Sequence, residues 1–305
     1  MTKIIVKRIF ATVPVLWAIV TLAFFMVALS PGSPFDTEKA MADSVRVALE
    51  AQYGLNEPLL IQYGRYLSGL FRGDLGPSIK YPGWGVSELI LSKIPVSLEL
   101  GLCAMLVALV LGSSAGIIAA SRPNTCTDYL PMTLAMLGMC LPAFVLGPLA
   151  ILVFGLKLQW FNVSGWFLPQ DRILPVLTLG VVYAASIARL MRTSMIEVSK
   201  QEYMLTATAK GLSPARVYLV HGLRNALTPV VAYLGPLAAA LVTGSFVIET
   251  VFNVPGLGRF FVDSALNKDG MMVLGTVIFY ATVLIAMNLA TDILAVIINP
   301  LQRFE

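Results

Sequence analysis

Six long runs of apolar residues alternate along this chain with segments that carry most of its charges. Each run reaches the roughly 20 residues that an α-helix needs to cross the hydrocarbon core of a bilayer. The predicted membrane-spanning helices are residues 9–30, 96–121, 132–156, 173–195, 227–250 and 272–297. The runs are continuously apolar, whereas the strands of a membrane barrel alternate with a period of two over roughly 10 residues. The pattern therefore predicts an all-α integral membrane protein with six transmembrane helices.

Composition supports the same class. Hydrophobic residues make up 57% of the chain, charged residues 12%, and the mean hydropathy is +0.81, values outside the range of soluble globular domains. The first run is also longer than the apolar region of a secretory signal, which spans roughly 7 to 15 residues, and no small-x-small cleavage site follows it. We therefore expect residues 9–30 to remain as a span.

The positions of the basic residues predict the orientation. If the N-terminus is inside, the inner segments contain Lys3, Lys7, Arg8, Arg122, Arg189, Arg192, Lys200, Lys210, Arg216, Arg224 and Arg303. The short outer loops then contain only Lys157, Arg172, Arg259 and Lys268. Because Lys and Arg in short loops favour the cytoplasmic side, both termini are predicted to be cytoplasmic. The net charge of +4 is thus attributed to topology and not to nucleic-acid binding.

The segment 31–95 is too long for a simple connector between two spans. Residues 44–52 and 57–71 have the composition of short helices, the second with Pro58 near its start, and glycines and prolines after residue 72 indicate turns. We expect a small helical cap on the outer face. It either contacts a partner or only covers the ends of the spans.

The inner segment after the fourth run predicts a helix, a tight corner and a second helix. Residues 197–209 are good helix formers, and Gly211 is well placed as the left-handed residue that ends the helix. Ser213 and Pro214 are typical of the start of the next helix. Small residues around the corner would let a partner approach the backbone, with Tyr203 as an anchor. The alternative is an amphipathic helix on the membrane surface.

The sequence contains few of the side chains that catalysis and metal binding require. His221 is the one histidine, and no CxxC or HExxH pattern occurs, so no metal site is predicted. The chain also has neither a GxSxG nucleophile elbow nor a GxxxxGK[ST] phosphate loop. We therefore predict that it is not an enzyme and does not itself bind or hydrolyse nucleotide.

Several stretches resemble one family of membrane proteins. Residues 203–213, YMLTATAKGLS, followed by RNALTP at 224–229, resemble the cytoplasmic EAA loop of ABC importer permeases of the oligopeptide, dipeptide and nickel branch. Residues 52–78 and 247–266 resemble the first extracytoplasmic region and the end of the fifth span in the same branch. With the opening KRIFATVPVLW and the SPGSPF after the first span, the resemblance covers essentially the whole chain. It is strongest to the first permease subunit of an oligopeptide importer.

The resemblance implies a type I ABC importer permease in the bacterial cytoplasmic (inner) membrane. Such a permease pairs in the lipid bilayer with a second, homologous permease and binds two cytoplasmic ATPase subunits, which hold the ATP and Mg. An extracytoplasmic binding protein delivers the substrate. Oligopeptides are the expected substrate; dipeptides or nickel chelates are the alternatives within the branch.

The same resemblance assigns roles to parts of the chain. Residues 1–30 form the inner N-terminus and first span, 31–95 the cap, and 96–305 a five-span core that contains a coupling loop at 196–226. The residues expected to contact the ATPase are Glu202, Tyr203, Ala207, Ala209, Lys210, Gly211, Leu212 and Ser213. In the general family pattern Glu-Ala-Ala precedes the glycine, whereas this chain has Leu205, Thr206 and Ala207.

Polar residues within the spans are candidates for the translocation path or for ion pairs. The path candidates are Tyr183, Ser186, Thr243, Ser245 and Glu249, although Ser and Thr also join helices to one another. Asp292 lies deep in the last span, where an unpaired carboxylate is costly, and Arg189 or Arg192 is its predicted partner. An ion-coupled secondary transporter, with Asp292 as a proton relay, remains a less favoured alternative.

Overall fold

The computed structural model describes residues 2–30, 47, 50–51, 53–242 and 246–298. The side chains of residues 2–11, 242, 292 and 294–298 lie outside this description. Within the described residues the regular structure is helical, apart from one isolated antiparallel bridge between Pro77 and Gly85. The fold class predicted from the apolar runs is confirmed at this level.

The helices are numbered here in chain order. They are α1 (Thr2–Ala28), α2 (Leu59–Phe71), α3 (Val86–Ser121), α4 (Cys126–Cys140), α5 (Ala143–Ala150), α6 (Ile173–Ser199), α7 (Glu202–Ala209), α8 (Pro214–Arg216), α9 (Leu223–Val242), α10 (Phe246–Val251), α11 (Leu257–Leu266) and α12 (Gly270–Ile298). Wider π-helical turns extend α5 through Ile151–Lys157 and join α8 to α9 through Val217–Gly222. A 3-10 turn, Pro169–Arg172, leads into α6.

Three of the described helical segments are long and apolar enough to cross a membrane: Val86–Ser121, Pro169–Ser199 and Gly270–Thr291. Cys126–Cys140 and Ala143–Lys157 form a fourth crossing if they are counted as one span. The chain bends by 104° at the break between them. The sequence predicted a single helix over residues 132–156, and that prediction is wrong at Leu141, where the backbone becomes extended before Pro142. Proline disfavours helical backbone in the residue before it, which accounts for the break.

The described chain folds as two compact units. The larger contains Val96–Pro255 and the residues from Val283 onward, and the smaller contains Thr2–Pro95 and Gly256–Thr282. The predicted boundary between residues 95 and 96 thus falls at a change of unit inside α3. Residues 256–282, which the sequence assigned to the five-span core, pack in the smaller unit with the residues before 96.

In the larger unit, α3 packs against α6 through glycines. A Cβ atom at Gly112 would lie 2.6 Å from the carbonyl oxygen of Ala184, and one at Gly116 would lie 2.6 Å from that of Ala188. On the other helix, a Cβ at Gly180 would lie 2.6 Å from a methyl group of Val107. Gly112 and Gly116 form a GxxxG pair, the spacing that lets helices in membranes approach backbone to backbone. The two helices can therefore adopt this packing only without side chains at these positions.

In the smaller unit, a buried aspartate joins the segment after α2 to the start of α12. Asp269 is fully buried; its Oδ2 accepts hydrogen bonds from the Ser78 hydroxyl (2.5 Å) and the Lys80 amide (3.2 Å). Its Oδ1 accepts a third from the Met272 amide (3.2 Å), so the same side chain caps α12. The hydroxyl of Tyr66 on α2 is buried without a described hydrogen-bond partner, and burial raises the pKa of Tyr66.

The glycine contact predicts a large effect from a small substitution. Gly116→Ala should lower the free energy of unfolding by about 1 to 3 kcal/mol, because the new methyl group forces α3 away from backbone atoms of α6. Gly64→Ala on α2 is the matched control, since a Cβ there meets no atom within 4 Å. It should be neutral or stabilise the helix by about 1 kcal/mol. Thermal unfolding of the two purified variants in detergent measures both effects, and equal transition temperatures would refute the prediction.

Candidate functional site

The candidate site is the segment between α6 and α9, and its centre is the corner segment, defined here as residues 202–213. The sequence predicted one helix over residues 197–209, but the structure divides it: α6 ends at Ser199, and Gln201 is extended before α7 begins at Glu202. α7 then ends at Ala209, and Gly211 has a φ of +78°. The left-handed corner at Gly211 is as predicted.

The second helix begins as the sequence indicated, but without the expected side-chain cap. Pro214 occupies the first helical position, where its missing N–H costs no hydrogen bond, and Ser213 is extended in front of it. The Ser213 side chain makes no capping hydrogen bond. The fixed φ of Pro214 therefore favours the start of α8 without a side-chain cap. The Ser213 side chain remains exposed on the corner.

A small core holds the corner segment in shape. Met204, Ala207 and Val217 are buried together, with Val198 and Leu212 packed against them. The prediction that Ala207 is available to a partner is thus corrected, because its side chain lies beneath the corner and only 6% of it is exposed. This core includes residues of α6, α7 and the turn after α8, so it connects the corner to the helices before and after it.

The remaining predicted contact residues lie at the surface. Glu202, Tyr203, Ala209, Lys210, Gly211 and Ser213 are exposed, and Leu212 is half-buried. Tyr203 is also attached to α9, since its hydroxyl accepts a hydrogen bond of 2.7 Å from the Asn225 amide. Leu205, which the sequence analysis did not assign to the site, exposes 63% of its surface on α7. The corner thus presents a surface of small, apolar and charged side chains.

The path candidates fall into three groups. Tyr183 and Ser186 are half-buried on α6, where Tyr183 packs against the core of the larger unit. Thr243 and Ser245 lie outside the described residues. Glu249 is fully buried on α10, and its Oε1 accepts a hydrogen bond of 3.0 Å from the Ser97 hydroxyl of α3. This side chain joins two helices in the described fold, and a role in lining a path stays a prediction.

Both arginines proposed as partners of Asp292 have other contacts in the structure. Arg192 forms two hydrogen bonds with Asp128, from Nε to Oδ1 (2.6 Å) and from Nη2 to Oδ2 (2.5 Å). Arg189 Nη2 lies 3.6 Å from the sulfur of Met139. The side chain of Asp292 is outside the described residues, so its pairing stays a prediction. The sequence predicted no contact for Asp128, which precedes the expected span of residues 132–156 and lies in the first turn of α4 in the structure.

A second ion pair lies at the opposite end of α6. Arg172 donates from Nε to Glu99 Oε1 at 2.5 Å, and Trp166 donates from its indole nitrogen to Glu99 Oε2 at 3.3 Å. The guanidinium also lies 5.0 Å from the centre of the Trp166 ring.

A cavity of about 620 Å3 lies within the smaller unit. Apolar side chains line much of it, among them Phe24 of α1, Leu59 of α2 and Leu274 of α12. Polar and charged residues also line it: Ser30, Glu50, Asn56, Gln62 and Lys268. Within the described residues, no group of three or more His, Cys, Asp and Glu side chains could hold a metal ion.

The helical fold and its apolar spans define a membrane-embedded protein, with an exposed corner between α6 and α9. Residues 112–304 match the family described as the binding-protein-dependent transport system inner membrane component, and residues 1–97 match its N-terminal family. The chain therefore belongs to this family of permeases, as the resemblance in its sequence indicated.

Curated relatives match over the full chain. The chain is 46% identical to the oligopeptide transport system permease protein OppB of Haemophilus influenzae and 43% identical to that of Salmonella typhimurium, with 100% of each chain covered. It is 42% identical to the dipeptide transport system permease protein DppB of Bacillus subtilis, covering 98% of this chain and 97% of the relative. The predicted branch of the family is confirmed.

The small core predicts that two neighbouring residues of α7 differ in their effect on stability. Met204→Ala should lower the free energy of unfolding by about 2 to 5 kcal/mol, since only 2% of Met204 is exposed. Leu205→Ala, one position along the same helix, should change it by about 0.5 kcal/mol or less because Leu205 is exposed. Thermal unfolding and protease sensitivity of the purified chain distinguish the two, and equal losses would argue against a packed corner.

Proposed function

We propose that this chain is one permease subunit of an ATP-driven ABC importer for oligopeptides. Its full-length similarity to oligopeptide and dipeptide permeases supports both the class and the substrate. The oligopeptide proteins are the more similar of the two, at 46% and 43% identity against 42% and 40%. Dipeptides fit the same comparisons. Membership in a binding-protein-dependent family favours ATP-driven import over ion-coupled transport.

In this proposal the chain contributes half of a translocation path and is not catalytic. A second homologous permease completes the path, two cytoplasmic ATPase subunits bind ATP and Mg, and an extracytoplasmic binding protein delivers the peptide. Residues 31–95 form a cap on the outer face. The chain crosses the bacterial inner membrane six times in this proposal. The crossings are α1, α3, the bent pair α4–α5, α6, the pair α9–α10 and α12. Both termini then lie in the cytoplasm.

The observation that carries the proposal is the exposed corner segment. A Cβ at Gly211 meets no atom of this chain within 4 Å, and the residue has positive φ. Leu205 and Tyr203 are exposed on the preceding helix α7, although apolar and aromatic side chains more often lie inside or at interfaces. A surface of this kind suits a groove on a partner. Closure of the two ATPase subunits would then displace the corner and alternate the access of the path.

Gly211 allows docking to be tested separately from folding. Gly211→Trp should abolish most peptide uptake and binding-protein-stimulated ATP hydrolysis, because the indole occupies space that the chain itself leaves open. Gly211→Asn is the matched control, since asparagine tolerates positive φ and is smaller. Uptake and ATP hydrolysis by the reconstituted complex are the measurements. Normal activity of the tryptophan variant would refute contact with the ATPase at this corner.

The orientation predicts which introduced cysteines react from each side. In a variant without Cys103, Cys126 and Cys140, which are all exposed, Ser213→Cys should react with a membrane-impermeant maleimide only from the cytoplasm. Phe71→Cys should react only from outside; Phe71 exposes 90% of its surface. Labelling of intact cells and of inverted vesicles is the measurement. The reverse pattern would overturn the assignment of the inner face.

The substrate is tested in the reconstituted complex with its binding protein. Tri-alanine and penta-alanine should stimulate ATP hydrolysis and be imported, whereas di-alanine should have a smaller effect. Stronger stimulation by di-alanine, or stimulation only by a nickel chelate, would replace the oligopeptide assignment by one of the alternatives. Uptake that needs a proton gradient but no ATP would favour the secondary transporter.

A further inference from the structure

The bidentate pair between Asp128 and Arg192 joins the helix that leads to the corner segment with the helix that begins the bent pair α4–α5. We propose that this ion pair transmits movement of the corner to α4–α5, so that Asp128 and Arg192 are positioning residues for transport. The inference rests on the proposed function of the corner as the contact with the ATPase. It adds a route by which that contact reaches the membrane part of the chain.

The geometry of the pair suits a stiff connection. Two parallel hydrogen bonds of 2.6 and 2.5 Å hold the guanidinium plane against the carboxylate, which restricts rotation as well as distance. The Asp128 side chain is 2% exposed and that of Arg192 is 27% exposed, so water has little access to the carboxylate. The Asn124 amide also donates to Asp128 Oδ2 at 2.9 Å. The carboxylate therefore connects α6, the first turn of α4 and the loop before it.

The position of Arg192 on α6 places the pair close to the corner. Arg192 lies seven residues before the end of α6 at Ser199, which is about two helical turns. The extended residue Gln201 follows, but the small core of Met204, Ala207 and Val217 packs against Val198 of α6 across this break. A displacement of the corner is thus passed to the end of α6 through packed side chains. From there the pair passes it to the start of α4.

The bend after α4 is the point at which this movement would reorient one helical segment relative to the other. The chain bends by 104° between α4 and the helical segment Ala143–Lys157, with the extended residue Leu141 and then Pro142 between them. Few backbone dihedrals need to change at such a break to reorient one segment against the other. Among the ion pairs between described residues, Asp128–Arg192 is the one that joins α4 to α6. Its loss would leave apolar packing to carry the movement.

A purely structural role predicts a different result. A pair that only holds the fold together would, when broken, reduce the amount of assembled complex, while each remaining complex would import as many peptides per ATP as before. A positioning role predicts normal ATP hydrolysis with less import. The number of peptides imported per ATP hydrolysed therefore separates the two roles.

The test uses the complete complex in proteoliposomes. Radiolabelled tri-alanine is supplied bound to the binding protein, and ATP is in excess. Asp128→Asn should reduce the peptides imported per ATP by about fivefold or more, in line with the range of coupling free energies between sites. Arg192→Lys keeps the charge but loses the fork geometry and should give an intermediate ratio. The exchanged pair Asp128→Arg with Arg192→Asp should restore part of the ratio.

Glu99→Gln is the matched control because it breaks the Glu99–Arg172 pair at the other end of α6. Its ratio should equal that of the parent. The inference is overturned if Asp128→Asn keeps the parent ratio, or if Glu99→Gln lowers it equally. If Asp128→Asn does not assemble, Arg192→Lys decides, and a parent-like ratio there overturns the inference. Failure of Gly211→Trp to block uptake would instead overturn the proposed function of the corner.

Discussion

The close contact between α3 and α6 is the constraint on which the larger unit depends. Lipid tails are as apolar as the side chains of a span, so helices in a bilayer associate through close packing more than through the hydrophobic effect. Gly112, Gly116 and Gly180 bring the two backbones together at distances that exclude even a methyl group. α6 is thereby fixed against α3, and the polar contacts made at its two ends have a rigid base.

The two ion pairs of α6 stand one bilayer thickness apart. Arg172 and Arg192 are separated by 20 residues, and a helix rises about 1.5 Å per residue, which gives about 30 Å. The hydrocarbon core of a bilayer is also about 30 Å thick. Charges inside it are costly, so each pair is best accommodated at one of the two interfaces. This spacing agrees with a topology in which residues 122–128 and the corner segment face one side, and Trp166 and Arg172 face the other.

Periodicity and turn chemistry predicted the local features of the fold. Runs of apolar residues sufficed for the helical class, and the corner at Gly211 followed from the preference of glycine for positive φ. The break at Leu141 could also have been predicted, because Pro142 disfavours a helical residue before it. In the sequence, however, the surrounding run is apolar throughout, and this pattern favoured one continuous helix. The break at Lys200 and Gln201 carries no comparable signal.

The contacts between distant residues could not be predicted in the same way. Asp128 and Arg192 are 64 residues apart, and Ser97 and Glu249 are 152 apart, so a single sequence offers no spacing that pairs them. From the sequence, Arg189 or Arg192 was therefore the predicted partner of Asp292, and no partner was predicted for Asp128. The sequence also does not show which apolar residues of α7 are buried and which are exposed. Met204, Leu205 and Ala207 are all apolar, and only the packing against Val217 determines which of them is buried.

A subunit that converts the closure of its partners into movement needs stiff elements joined at a few points, with flexibility confined between them. In the larger unit the stiff element is α6, held along its length by α3 and at its end by the core under the corner. The extended residues Gln201 and Leu141 are both places where the backbone leaves the helix. Side chains bridge the first of these, so the corner follows α6. The second lies beyond the Asp128–Arg192 pair, so in our proposal a displacement that reaches α4 acts at the junction between α4 and α5, where α5 packs against α6 and α10.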